Sequence, residues 1–144
     1  MVDLKGPVGL RQAIELFFFA YRAFTAHPDR ILGERGLGRV HHRILYFVGR
    51  NPGIAISALL DTLGVTKQAL NAPLRRLTEM KLVSVRTAAH DRRCKELRLT
   101  AEGARLEARL TGTQMQHLSR VFAAAGKDAA AGWRAVMERM PEGG

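Results

Sequence analysis

The chain has 144 residues, of which 47% are hydrophobic and 25% charged, and its formal net charge is +10. A chain of this length closes around one core that buries about two-thirds of its unfolded surface, and the composition excludes a disordered, collagen-like or disulfide-stapled class. A single cysteine, Cys94, leaves no internal disulfide, so a reducing cytoplasm is the expected compartment.

The first nine residues are polar, and the apolar run Leu16–Ala20 is far shorter than the roughly 20 residues of a membrane span. A soluble protein with no leader and no membrane partner is therefore expected. From Leu10 onward Leu10, Ile14, Phe17, Tyr21 and Phe24 recur at spacings of four and three, which is helix periodicity. Phe18 and Phe19 widen the stripe. One side suits the chain's own core, and the second suits a partner subunit.

The stretch "HPDRILGERGLG", with Pro28 and three glycines, is expected to interrupt that helix. A second helix follows from about Arg39 to Gly49, with Val40, Ile44, Phe47 and Val48 inward, and "RNPG" ends it. Two short helices come next, in "AISALLDTLG" and "VTKQALNAPLRRLTEM". Gly64 suits the left-handed end of the first, and Thr66 the N-cap of the second. Ala55 stands where Ser or Thr would cap the first helix better, at a cost of about 1 kcal/mol.

"LVSVRT" and "KELRLT" read as two strands, the latter with Leu97 and Leu99 on one face and Glu96 and Arg98 on the other. Between them lies a loop crowded with cations. Thr100 caps a long helix through Leu106, Leu110, Leu118, Val121 and Phe122. Gly126 breaks it, and a last helix carries Trp133, Val136, Met137 and Met140.

Two short helices around a glycine turn, the second capped and polar-faced, describe a helix-turn-helix. Leu70, Leu74 and Leu77 share the inward face of its second helix, leaving Lys67, Gln68, Asn71, Ala72, Arg75 and Arg76 outward. Gln and Asn can bond bidentately to adenine, Lys and Arg to phosphate or guanine, and Ala72 can touch a thymine methyl. The hairpin makes the unit a winged helix. Residues 66–98 hold nine Lys/Arg against three acids, so six of the ten excess charges sit here. Crowded like charges repel, and a phosphate backbone would neutralise them. Pro73 lies inside the second helix, where it removes a backbone bond at a cost of about 3 kcal/mol. It is expected to tilt the C-terminal half away from a groove, which weighs against base contacts by Arg75 and Arg76.

The whole pattern resembles the MarR family of transcription regulators. "GLGRVHHRILYFVGRNPG", "ISALLDTLGVTKQALNAPLRRLTEMKLV" and "DRRCKELRLTAEG" carry the resemblance, the last being the most specific. The variant "GRVHHR…NPG" is similar to the subgroup labelled PetP-like. The resemblance implies a mainly α fold with a small β-hairpin wing, a single domain over 1–144. Dimerisation helices would span 8–31 and 101–140, flanking a winged helix-turn-helix lobe at 38–100.

It also implies a homodimer on a pseudo-palindromic double-stranded DNA operator, more as repressor than activator. Thr66, Lys67, Gln68, Asn71, Ala72 and Arg75 would contact DNA from the recognition helix, and Asp91, Arg92, Arg93 and Lys95 from the wing. Arg93 would enter the minor groove, oriented by Asp91. A small apolar or aromatic effector would sit in a pocket whose candidates are Phe17, Tyr21, Phe24 and His41, although a pure dimer core accounts for the same aromatics.

Other motifs carry less. His41 and His42 project about 100° apart on a helix and do not share one metal, so one packs and the other faces the DNA backbone or a pocket. No metal or cofactor is expected. An unreactive wing residue is the favoured reading of Cys94; the alternative is that the adjoining cations lower its thiol pKa and that oxidation there weakens DNA binding. No phosphate loop, nucleophile elbow, HExxH or carboxylate pair points to catalysis. The competing class is a winged-helix protein-interaction module without sequence-specific DNA binding. Lys, Gln and Asn within 66–76 speak against it, because such a surface needs apolar anchors.

Overall fold

The computed structural model describes residues 4–142. Helix α1 (Pro7–Glu34) opens with proline in its first turn, where the missing N–H costs nothing. It runs straight on through Pro28, contrary to the interruption expected there. Pro28 is buried, and Ile31 and Leu32 beyond it enter the core at 4% and 0% exposure. Burying two such side chains contributes about 1.5–3 kcal/mol each, enough to offset the roughly 3 kcal/mol of an internal proline.

Helix α2 (Arg39–Arg50) follows a turn at Gly36, and the chain then forms a strand, β1 (Ile54–Ala55). That strand is too short to show any period in the sequence. Helix α3 (Ile56–Leu63) starts at Ala55 without a side-chain cap and ends at Gly64, φ +65°. Helix α4 (Lys67–Glu79) is capped by Thr66, whose Oγ1 accepts the Ala69 N–H at 3.1 Å. Pro73 lies within it, yet α4 is one continuous helix, anchored on both sides of the proline by buried Leu70 and Leu77.

Strands β2 (Val83–Thr87) and β3 (Lys95–Leu99) pair antiparallel, Val83 opposite Leu99 and Thr87 opposite Lys95. β1 adds to the other edge of β3, giving the order β1-β3-β2. Thr100 caps α5 (Ala101–Ala125) through the Gly103 N–H, and Gly126 separates it from α6 (Lys127–Arg139). No helix among the described residues is long and apolar enough to cross a membrane.

The core gathers the end of α1, all of α2 to β3, and the first half of α5: Leu32, Ile44, Leu45, Val48, Leu59, Leu70, Leu77, Leu82, Leu97 and Leu110 are the fully buried centre. Thus the winged lobe is built on a closed hydrophobic cluster. The rest of the molecule is not. Ile14 (69% exposed), Phe18 (61%), Trp133 (47%) and Val136 (61%) stay open on α1 and α6. The aromatic stripe of α1 is therefore not covered by the chain's own core.

Candidate DNA-binding face and adjoining cavity

Leu70 and Leu77 turn α4 so that Lys67, Gln68, Asn71, Ala72, Arg75 and Arg76 are exposed. The periodicity that packs the leucines is what aligns the polar row, since residues three and four apart share a face. Thr66 sits at the head of the row. Arg76 is displaced from it: its Nη2 atom lies 3.6 Å from where a β-carbon on Gly36 would stand, in the α1–α2 turn.

The wing loop, residues 88–94, is closed by the Ala88 N–H donating to the Cys94 carbonyl at 2.9 Å. Asp91 organises its tip. Its Oδ1 accepts the Arg93 backbone N–H at 2.9 Å and the Arg93 Nε–H at 3.4 Å. The backbone N–H of Arg93 is the main reason the Asp91 carboxyl is held below its ordinary pKa. Arg93 itself remains 92% exposed, so the side chain is oriented at its base and open at its head. Arg92 is exposed, and Lys95 is positioned by a 3.1 Å bond from Nζ to Thr87 Oγ1.

At Cys94 the fold reverses the sign that the flanking cations suggested. Its Sγ lies 3.6 Å from Asp91 Oδ2, and the Asp91 charge pushes the thiol pKa up. A nearby carboxylate disfavours a second negative charge. The nearest ionised group decides the sign, and in the fold that group is the acid.

A cavity of about 310 Å³ lies between α1, α2 and α5. Tyr21, Phe24, Tyr46 and Phe47 supply its aromatic walls, and Arg39, His42 and Arg43 its polar groups. Arg39 Nη2 is 3.0 Å from Asp29 Oδ2, with the guanidinium 5.6 Å from the centre of the Tyr21 ring. Arg43 donates to the Tyr21 hydroxyl at 2.9 Å. His42 Nε2 is 3.1 Å from Thr111 Oγ1, which ties α2 to α5, and burial holds its pKa below the ordinary histidine value.

Of the four residues expected to line a pocket, Tyr21 and Phe24 do. Phe17 lies instead in a separate depression with Phe18, Tyr21, Arg22 and Arg39. His41 is outside both: its Nδ1 accepts the Gly38 N–H at 2.9 Å, half of a capping box at the start of α2. Gly38 has no side chain to return the bond. The wall residue is the adjacent His42, and Arg39, Arg43 and Asp29 were not anticipated either. The one signal for the α2 residues is position, since His42 and Arg43 follow Arg39 by three and four residues on that helix. No group of three or more metal-ligating side chains occurs among the described residues.

These features can be set against known proteins. A family model described as the MarR family matches residues 35–93. The HTH-type transcriptional regulator PetP of Rhodobacter capsulatus is 47% identical over 131 residues, which are 91% of this chain and 79% of that protein. Among solved structures, Streptococcus pneumoniae FabT in complex with DNA superposes with a TM-score of 0.80 at 14% identity, over 92% of this chain and 95% of that one. The PcaV transcriptional regulator of Streptomyces coelicolor in complex with its natural ligand gives 0.66 at 21% identity, over 99% and 96%. The two structures establish the fold of mainly helices with a β wing, and the relative of high identity establishes kinship: the chain belongs to the MarR family of transcriptional regulators.

Proposed function

We propose that this regulator is a homodimeric repressor that binds a pseudo-palindromic double-stranded DNA operator in the cytoplasm and is released by a small apolar or aromatic effector. The observation that carries the reading is the presence of two open surfaces on one lobe: the polar row of α4 and the wing tip ordered by Asp91. Gln68, Asn71 and Ala72 are the base readers, with Arg75 at the far end of the row. Thr66, Lys67, Arg92 and Lys95 take phosphates, and Arg93 takes the minor groove.

The lobe at 38–100 reads DNA, and helices within 8–31 and 101–140 join two subunits. The uncovered apolar side chains of α1 and α6 support that division, since a monomer gains nothing from exposing so many large apolar groups. Two recognition helices then stand about 34 Å apart, one turn of DNA. The cavity touches α1 and α5 on one side and α2 on the other, so a ligand there contacts both parts. A differential affinity worth about 1–3 kcal/mol between the two dimer states would release the operator. The FabT–DNA and PcaV–ligand structures are consistent with both halves of the proposal.

Fluorescence anisotropy on the DNA upstream of the protein's own gene, against scrambled DNA across a salt series, tests it. Tight upstream binding with a steep salt slope and a large specific-to-scrambled ratio is expected. Equal, weak binding to both would mean that the operator lies elsewhere or that the basic face serves another partner, as in the protein-interaction module.

A further inference from the structure

Arg76 does not behave like its neighbours on α4. At 3.6 residues per turn, Gln68, Asn71, Ala72 and Arg75 share one sector and Arg76 falls at its edge. There its guanidinium reaches the α1–α2 turn, 3.6 Å from the site of a β-carbon on Gly36. Gly36 is held at φ +69°, a conformation that suits glycine, and the guanidinium lies within ordinary contact distance of this turn. This turn follows the C-terminus of α1, whose last carbonyls concentrate negative potential. α1 has no basic residue in its own last turn, and its C-cap is Arg35. The recognition helix brings Arg76 to the same turn from outside α1.

His41 stands beside this contact. As the third residue of α2, it accepts the Gly38 N–H on Nδ1, the role Glu or Gln has in a capping box. Such a bond requires that nitrogen to be unprotonated. Burial lowers the His41 pKa, and the charge of Arg76 lowers it further. Facing His41 are the Gly38 amide from its own helix end and Arg76 from α4. The neighbouring Arg39 is already paired with Asp29. Protonation would therefore remove the cap of α2 and set a second cation against Arg76.

We propose that Arg76 is a positioning residue for DNA recognition: seated on the Gly36 turn, it fixes the C-terminal half of α4 against the α1–α2 junction, and His41 makes that seat proton-sensitive. The inference rests on the reading of α4 as the DNA-reading helix. The same junction supplies Arg39, His42 and Arg43 to the cavity.

The test uses the full chain as wild type, Arg76→Gln, Arg76→Lys and His41→Gln, with anisotropy on the upstream and scrambled duplexes. His41→Gln keeps an acceptor at the capping position and does not titrate. Arg76→Gln is expected to weaken upstream binding roughly two- to fivefold, the scale of one cation at a helix C-terminus. The slope of log affinity against log salt stays at the wild-type value, because no phosphate contact is lost. Arg76→Lys keeps the charge and recovers part of the affinity at that same slope.

On acidification from about pH 7.5 to 5.5, across the histidine range, wild type loses affinity relative to His41→Gln. The loss shrinks in Arg76→Gln. A salt slope that falls by about one in either Arg76 variant makes the residue a phosphate ligand and overturns the proposal. So does unchanged upstream affinity, or an identical pH response in wild type and His41→Gln. Melting curves identify a variant that fails to fold, and Arg76→Lys then carries the decision. If wild type binds neither duplex and selects no preferred site from a randomised pool, the DNA-reading function fails, and the positioning role fails with it.

Discussion

Gly103→Ala probes the contact that sets the wing on α5. Gly103 lies in the first turn of α5, and a β-carbon there would stand 1.9 Å from the Leu82 carbonyl oxygen and 2.8 Å from its carbon. Carbon–oxygen contacts in proteins settle near 3.3–3.6 Å, so the two backbones must part by about 1.5 Å. No side chain can rotate away, because the obstacle is main chain. The parting strains a tightly knit joint. The Thr100 N–H donates to Leu82 O at 3.1 Å, and its hydroxyl donates to Lys81 O at 2.6 Å and accepts the Gly103 N–H at 3.0 Å.

Overpacking costs about 1–3 kcal/mol, and a weakened cap adds about 1 kcal/mol. Replacing glycine by alanine in a helix returns about 1 kcal/mol. The net loss is about 2 kcal/mol, which lowers the melting temperature of a chain this size by roughly 4–8 °C. Calorimetry at one fixed protein concentration reads it, since an oligomer melts in a concentration-dependent way. Gly112→Ala, in the same helix with nothing within 4 Å of its β-carbon, is the control and should gain about 0.5–1 kcal/mol. A Gly103→Ala protein that melts at or above wild type would refute the packing argument.

Three other outcomes are expected. Asn71→Ala relaxes sequence preference by about 1–3 kcal/mol at one position of each half-site; an unchanged preference profile from a randomised-site selection would remove it from the base readers. Arg93→Ala weakens DNA binding and leaves melting and subunit association intact, because its head touches only solvent beyond Asp91; a variant that unfolds would make the residue structural. His42 titrates below the ordinary histidine value of about 6.5, since burial favours its neutral form. A group with a depressed folded pKa contributes stability above the unfolded pKa and loses it as pH falls through the folded one. NMR titration should place its midpoint below 6.5, with melting temperature declining as the pH drops through that range; a midpoint above 6.5 would contradict the burial argument.

How much of this was legible in the sequence varies by residue. Gly64 and Thr66 announce the helix-turn-helix because a left-handed end and a hydroxyl cap are requirements of single positions. The outward row of α4 follows from helix period alone. β1 was not legible, since two residues carry no period and exist as a strand only through pairing with Glu96 and Leu97. The passage of α1 through Pro28 was misread for a related reason: local propensity counts the lost hydrogen bond and cannot count the burial of Ile31 and Leu32. The site shows the same division. His41 and His42 are alike as letters, and their phase against α5 makes one a cavity wall and the other a helix cap.

Local chemistry written along the chain determined the winged architecture, the basic face and the identities of the outward-facing residues of α4, because caps, turns and periods act over a few positions. Tertiary structure alone decided which way Arg76 turns, which charge governs Cys94 and where the cavity lies. Those depend on groups far apart in the chain whose distance is set only when the core closes.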